Sequence, residues 1–434
     1  MPGPELAPRR VILAASAGNM LEWYDYFIYG TAAALVFPKL FFPALHGATA
    51  TIASFLTFAS AFVVRPVGAA VWGHFGDRLG RRKVLVSTLV IMGLSTIAIG
   101  CLPTADRIGT WAPALLVVLR TVQGLGVSGE YAGAMSMTVE IAPRERRAFY
   151  GTWPNVGNSV GLLAATVVFS LLALLPEDQF LGWGWRIPFW LSAALLGVGL
   201  YLRTRIGESH VFEEARRRDL LVRAPFAELL RRHKGSLLLG IGVRFCNDVL
   251  AYLVLTYTVS YVTTTLGMPP WLSTTAVAVS AACSMIVMPF AGRLADRIGR
   301  RPVFAGSAIL AIVLAVPYFS LLNTRNPVLV ILAIVLLHCG VVETSYAIIG
   351  TYLAELYPAN IRYSGIGVTY NVTSIIGAGF APVIAVALYT AAGNNAYAVS
   401  GYIAFAAVVT LIAVRFGRET RGTDLLAPER ASVA

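Results

Sequence analysis

The chain has 434 residues, 57% of them hydrophobic and only 13% charged, with a formal net charge of +12. Ordinary soluble domains carry about 25% charged residues, so the composition excludes a soluble globular fold and describes an all-α membrane protein. Nucleic-acid binding is excluded as well, because the basic residues are scattered over several loops with no interleaved aromatic platform.

Twelve apolar segments long enough to cross a bilayer as helices follow one another, at about 11–37, 49–73, 84–102, 112–139, 148–174, 187–206, 236–264, 272–292, 302–322, 327–354, 363–391 and 396–416. The first begins after Arg9 and Arg10, and Ala15-Ser16-Ala17 mimics a signal-peptide cleavage site. The apolar core before that site is short and continues through Phe37, so an uncleaved first helix is expected. Most Lys and Arg sit in the termini and in one set of alternate loops, densest at 203–234. The other loops hold only Lys39, Arg107, Arg186 and Arg325. This asymmetry predicts a multi-pass protein of the cell inner membrane with both termini cytoplasmic.

Within the first helix, Asn19, Glu22, Asp25 or Tyr26, and Tyr29 fall on one polar stripe, with Tyr24 beside it. An ionised acid at the bilayer centre costs at least ~2.5–3.5 kcal/mol, so these carboxylates must face protein or an aqueous cavity. The fourth helix repeats the pattern. Arg120, Gln123, Val127 and Glu130 share a face, with Gly124, Gly126, Gly129 and Gly133 close by to let helices approach. Arg120 never loses its proton and offers a fixed charge to a carboxylate, whether a substrate's or a neighbouring helix's.

Further polar candidates for substrate contact are Asn155 and Asn158 in the fifth helix, and Arg244 and Tyr257 in the seventh. Tyr370 and Asn371 in the eleventh join them. Helix–helix hydrogen bonding is the alternative for each of the uncharged ones. Arg244 is expected near the cytoplasmic membrane edge, either snorkelling or meeting substrate, and Tyr257 is the stronger cavity candidate. His338, five residues before Glu343, is expected to be satisfied by a backbone carbonyl rather than to form a proton-carrying pair. The four cysteines are far apart and the five histidines dispersed, with no HExxH or G-x-S-x-G. No metal, no cofactor, no disulfide framework and no enzyme activity are expected.

Two motifs recur about half the chain apart. GHFGDRLGRRK starts at Gly73 and GRLADRIGRRP at Gly292. Glu140, Pro143 and Arg147 form E-x-x-P-x-x-x-R, which Glu355, Pro358 and Arg362 repeat. Two unrelated motifs at nearly one offset imply two pseudo-symmetric six-helix bundles, 1–206 and 235–416, joined by a cytoplasmic linker at 207–234 and followed by a tail at 417–434. Parallel halves with a site between them describe a secondary transporter. In the Gly-Asp-Arg loops, glycine permits a tight turn, and an Asp opening the next helix can cap its amides or pair with a neighbouring Arg. The gating candidates are therefore Gly73, Asp77, Arg78, Gly80, Arg81, Arg82, Glu140 and Arg147, with Asp296, Arg297, Arg300, Arg301, Glu355 and Arg362 from the second copy.

The repeated G-x-x-x-D-R-x-G-R-R resembles the signature of the major facilitator superfamily. More narrowly, EWYD at Glu22 to Asp25, RPVG at Arg65 to Gly68, QGLGVSGEYAGA at Gln123 to Ala134 and WGWRIPF at Trp183 to Phe189 resemble its metabolite:proton symporter branch. The resemblance implies transport of a solute such as citrate, 2-oxoglutarate, shikimate, proline or betaine together with protons. It also implies that Asp77 and Asp296, with their arginines, hold the cytoplasmic side closed in the outward-facing state. ALVFPKLFFP at Ala34 to Pro43 is similar to shikimate-type carriers, and LTYTVSY at Leu255 to Tyr261 to proline and betaine carriers.

Three fixed cations, Arg65, Arg120 and Arg244, face five acids in the membrane interior: Glu22, Asp25, Glu130, Asp248 and Glu343. If every Arg pairs, two acids remain, and an unpaired acid in low dielectric can bind a proton reversibly near neutral pH. Position and resemblance select Asp25 and Glu130, with Glu22 next. The expected function is proton-coupled symport of a small organic acid by a monomer in the lipid bilayer. Uptake of a zwitterion such as proline or betaine is the alternative, supported by the surplus of acids, and a solute sensor that does not transport is a remoter one.

Overall fold

A computed structural model describes residues 8–79, 81–128, 130–204, 225–358, 361–423 and 425. Among these, every regular element is helical, as the bilayer demands of a chain that must satisfy its backbone groups within each segment. Twelve long helices follow the expected order. The first half comprises α1 (Pro8–Leu35), α2 (Ala48–Leu79), α3 (Arg81–Cys101), α4 (Trp111–Val127 and Glu130–Ile141), α5 (Arg147–Leu172) and α6 (Ile187–Thr204). The second comprises α7 (Lys234–Thr265), α8 (Pro270–Ile298), α9 (Arg300–Asn323), α10 (Pro327–Leu356), α11 (Arg362–Thr373, Ser374–Gly379 and Ala381–Ala391) and α12 (Tyr397–Phe416). Among the described residues nine of them are long and apolar enough to cross a membrane outright, and α1, α3 and α6 complete the set.

Within the first half α1 packs on α5 and α2 on α4, and α4 and α6 both pack on α3. In the second, α12 packs on α7 and α9. Glycine permits the closest of these approaches. A Cβ at Gly124 would strike the Ala61 backbone of α2, and one at Gly157 the Ser16 carbonyl of α1. The halves meet where α5 lies along α8, where α4 and α5 touch α10, and where α1 and α2 touch α7 and α11.

Three departures from expectation matter for function. The Gly-Asp-Arg motifs do not form open loops: α2 runs on to Leu79 and α8 to Ile298, and the second copy turns on Gly299 alone, at φ 102°. Secondly, α7, α10 and α11 contain π-helical turns, at Leu253–Tyr257, Tyr261–Thr265, His338–Glu343 and Ser374–Gly379. Each wide turn rotates the faces that follow it away from a 3.6-residue reading. Thirdly, the chain after α12 packs onto the face where α8 ends and α9 begins. The expected linker lies outside the described residues as far as 224, and a short helix, Pro225–Arg232, precedes α7.

Candidate transport site and gate

The polar stripe of α1 is buried inside the first half, with Asn19, Glu22 and Asp25 all under a tenth exposed. Asn19 donates to the Pro154 carbonyl of α5 at 3.0 Å. Asp25 accepts from the Thr96 hydroxyl of α3 at 2.9 Å and from the Ser192 hydroxyl of α6 at 2.6 Å. Thr96 in turn accepts from the Gln123 amide at 2.7 Å, and Gln123 Oε1 accepts from Arg120 Nη1 at 2.5 Å. The result is a hydrogen-bonded line, Arg120–Gln123–Thr96–Asp25–Ser192, through four helices.

The direction of that line follows from its ends. A guanidinium only donates, so Gln123 must turn its oxygen to Arg120 and its amide to Thr96. Thr96 then spends its one hydrogen on the Asp25 carboxylate. Thr96 also has a second acceptor, the Met92 carbonyl at 3.0 Å. No spacing in the chain singles out Thr96 or Ser192, since isolated hydroxyls in apolar helices are commonplace.

Arg120 is fully buried, and its guanidinium carbon lies 4.0 Å from the Tyr29 ring centre, 4.5 Å from Tyr26 and 5.0 Å from Phe58. Its Nε and Nη2 have no hydrogen-bond partner among the described residues. Tyr29 turns its hydroxyl to Thr57 at 2.7 Å and leaves its face to the cation. Arg244 behaves differently and corrects the expectation of a snorkelling side chain. It is buried, holds Asp248 Oδ1 at 2.8 Å and 3.0 Å, reaches Ser374 at 3.3 Å, and lies 3.3 Å from the Tyr370 ring centre. Its charge is already matched.

Two tyrosines are turned away from the space between the halves. Tyr24 donates to the Pro188 carbonyl of α6 at 3.0 Å. Tyr257 stacks on Tyr261 at 5.9 Å, because the π turn ending at Tyr257 swings it into the second half. Tyr252 holds the place expected of Tyr257, with its ring 5.5 Å from Phe58 and 5.3 Å from Phe62 across the interface. Tyr26, Gly30, Phe58, Tyr252 and Thr256 line a narrow cavity between α1, α2 and α7.

Other candidates do bridge the halves. Asn155 donates to the Tyr346 carbonyl at 2.9 Å, Asn371 to the Ser128 carbonyl at 3.1 Å, and Tyr370 stacks on Tyr131 at 4.1 Å. Asn158 is buried, with Oδ1 unpartnered among the described residues. His338 is not held by a carbonyl, and its Nε2 lies 3.2 Å from Glu343 Oε1. The Glu130 side chain lies outside the described residues.

On the face where α8 ends and α9 begins, the second motif copy joins the two halves. Asp296 does not cap the helix that follows it, because it stands in the last turn of α8. It accepts instead from the Ala148 and Phe149 amides, at 3.0 Å and 2.9 Å, capping α5 of the opposite half. Arg300 binds Asp296 at 3.1 Å and Glu355 at 2.9 Å and 3.1 Å. The E-x-x-P-x-x-x-R repeat pairs across the halves, with Arg362 reaching Glu140 at 3.0 Å. Of the first copy, Gly80 and the side chains of Asp77, Arg78, Arg81 and Arg82 lie outside the described residues, as does the surrounding of Gly73. Replacing Asp296 by Ala removes two amide acceptors, a loss of about 0.5–2 kcal/mol for a helix cap. Hydrogen exchange at Ala148 and Phe149 should quicken by about 2- to 30-fold with helix content unchanged, and unaltered exchange would deny the cap.

The tail then straps this lock. Arg144 and Arg147 donate to the Gly422 and Thr423 carbonyls at 2.7 Å and 2.5 Å, and Arg362 to that of Leu425 at 2.8 Å. Thr420 donates to Glu355 at 2.7 Å, Arg421 to the Arg297 carbonyl at 2.5 Å, and Arg301 to the Val414 carbonyl at 2.9 Å. Glu419 accepts from the Arg300 and Arg301 amides at 2.9 Å and 3.0 Å. Partial burial works to raise the Glu419 pKa, but these amides and that of Arg421 outweigh it and hold the carboxyl below its usual range. A lowered folded-state pKa contributes stability present above the ordinary carboxylate pKa and lost as pH falls through the lowered one. Limited proteolysis at 417–425 should therefore be slow at neutral pH and accelerate only in acid, and Glu419→Gln should remove part of that pH dependence.

The model of the Major Facilitator Superfamily matches residues 17–375 and 276–433. The chain is 41% identical to the inner membrane metabolite transport protein YhjE of Escherichia coli K12, over 96% of this chain and 95% of that one. It is 39% identical to the shikimate transporter of the same strain, over 91% of each, and 35% identical to its proline/betaine transporter, over 96% of this chain and 85% of the relative. The crystal structure of a D-xylose-proton symporter superposes with a TM-score of 0.73 at 20% identity, covering 95% of this chain and 98% of that one, a likeness of fold. With its repeated motifs, its twelve helices in two halves and these relatives, the chain belongs to the Major Facilitator Superfamily, in its metabolite:proton symporter branch.

Proposed function

We propose that the protein is a proton-coupled symporter of a small organic acid, a mono- or dicarboxylate, moving it across the cell inner membrane by alternating access. The observation that carries the reading is Arg120, a buried guanidinium with two nitrogens unpartnered among the described residues, whereas Arg244 is neutralised by Asp248. A solute carboxylate supplies the missing partner, and the planar fork favours a bidentate grip. The halves are 1–206 and 235–416, and the face carrying both termini and most basic loops is cytoplasmic.

In this reading solute and proton meet through the line from Arg120 to Asp25. A carboxylate on Arg120 adds negative charge at one end, and a proton on Asp25 removes it at the other. The loaded carrier then reorients with little net buried charge. Glu22 and Glu130 are the further proton-site candidates. Rocking of the halves parts Glu140 from Arg362 and frees the α5 amides from Asp296.

Relatives named for proline and betaine transport keep the zwitterion reading in view. Against it, the rings that would hold a quaternary ammonium, Tyr26, Tyr29 and Phe58, are already covered by the Arg120 guanidinium. Uptake of labelled mono- and dicarboxylates, proline and glycine betaine into proteoliposomes under an imposed pH gradient tests the proposal. Carboxylates should accumulate with the gradient. Accumulation of betaine alone, or indifference to the gradient, would overturn it.

A further inference from the structure

His338 and Glu343 are five residues apart, a spacing that puts them about 140° apart around an α-helix. The π-helical turn His338–Glu343 brings them onto one side, with Nε2 3.2 Å from Oε1 and both side chains buried. Neither ring nitrogen of His338 nor Glu343 Oε2 has a hydrogen-bond partner among the described residues, so the approach of Nε2 to Oε1 is a charge contact without hydrogen-bond alignment. Glu343 stands one turn before Tyr346, whose ring faces Trp23 of the other half.

Among the described residues the surroundings offer no free counter-charge. The helices packed on this turn are α7, α8 and α9. In α7, Arg244 and Asp248 are bound to each other, and Asn247 is occupied by the Val342 carbonyl and Ser345. In α8 the nearest titratable group is Cys283, with Arg293, Asp296 and Arg297 grouped at the far end, and α9 has Tyr318, bonded to Thr258, with Arg300 and Arg301 at its start. On α10 itself the Cys339 thiol donates to the Ser280 carbonyl, and Glu355 lies about 18 Å away along the helix.

A neutral imidazole has one N–H. With that hydrogen on Nε2 and Glu343 ionised, the pair carries an uncompensated negative charge in a buried interior. One further proton on the Glu343 carboxyl makes the pair neutral, and two neutral groups sit better in this interior than a buried ion pair with no third charge beside it.

From this geometry we infer that His338 and Glu343 form a second proton-binding site, in the C-terminal half, holding one exchangeable proton that is independent of Asp25. The proton comes from water when the halves part on one side, is held on the Glu343 carboxyl facing His338 Nε2, and returns to water on the other side. Its use in transport rests on the coupling proposed above; its existence does not.

An infrared titration of solute-free protein in lipid vesicles follows the C=O stretch of protonated carboxyl groups against pH. Glu343→Gln should delete one titrating band, His338→Asn should keep that band and move its midpoint by about one pH unit or more, and Asp25→Asn should leave it in place. Should Glu343→Gln disturb folding, His338→Asn and His338→Gln carry the test. The inference is overturned if Glu343→Gln retains every wild-type band, or if both His338 variants leave the midpoint unmoved. Because no solute is present, failure here is separate from failure of the carboxylate reading.

Discussion

Asp25→Asn is expected to abolish accumulation driven by a pH gradient while leaving solute counterflow intact. The amide fills the same volume and cannot ionise, so it imitates the protonated acid. Its nitrogen donates where the carboxylate accepted, and Thr96 turns to the Met92 carbonyl, 3.0 Å away. The carrier is then fixed in the charge state that permits reorientation and no longer needs a proton to enter it. Each coupled proton contributes about tenfold in accumulation per pH unit, and that factor should vanish for this site. Counterflow of unlabelled against labelled solute should persist, because it needs only binding and rocking. Wild-type accumulation in the variant would show that the proton rides elsewhere.

Arg120→Lys should raise the half-saturation concentration for a carboxylate by about 10- to 150-fold, with the charge unchanged. The ammonium keeps one positive charge but loses the fork that holds Gln123 on Nη1 while presenting Nε and Nη2 to solute. Hydrogen bonds to charged groups contribute about 1.5–3 kcal/mol, which converts to that range. Lys also sits less well among Tyr26, Tyr29 and Phe58, whose faces a flat guanidinium covers. An unchanged half-saturation would place the carboxylate away from Arg120.

Much of the architecture was legible because it was written twice. The repeated Gly-Asp-Arg and E-x-x-P-x-x-x-R motifs announced two halves and named Asp296, Glu140 and Arg362, which the fold brings to the contact between them. The repeat did not reveal that Glu140 of one copy would pair with Arg362 of the other, or that Asp296 would cap α5, since partners across an interface leave no local spacing. The acid stripe of α1 and the face of α4 followed from helical period alone. Thr96 and Ser192, which bind Asp25, carried no pattern. Tyr257 and the His338–Glu343 pair were misread for one physical reason: a π turn changes the angular step between residues, and a fixed period cannot anticipate it.

The strap at 417–425 also bears on how the protein is assembled. It follows all twelve helices in the chain, and it supplies carbonyl acceptors for Arg144, Arg147 and Arg362 and a carboxylate for the amides opening α9. During synthesis these donors are exposed to water until the strap arrives, so the bundles insert and pack with their lock unfastened. A chain released before Arg418 would hold all twelve helices and lack the acceptors that these arginines and amides meet in the finished fold.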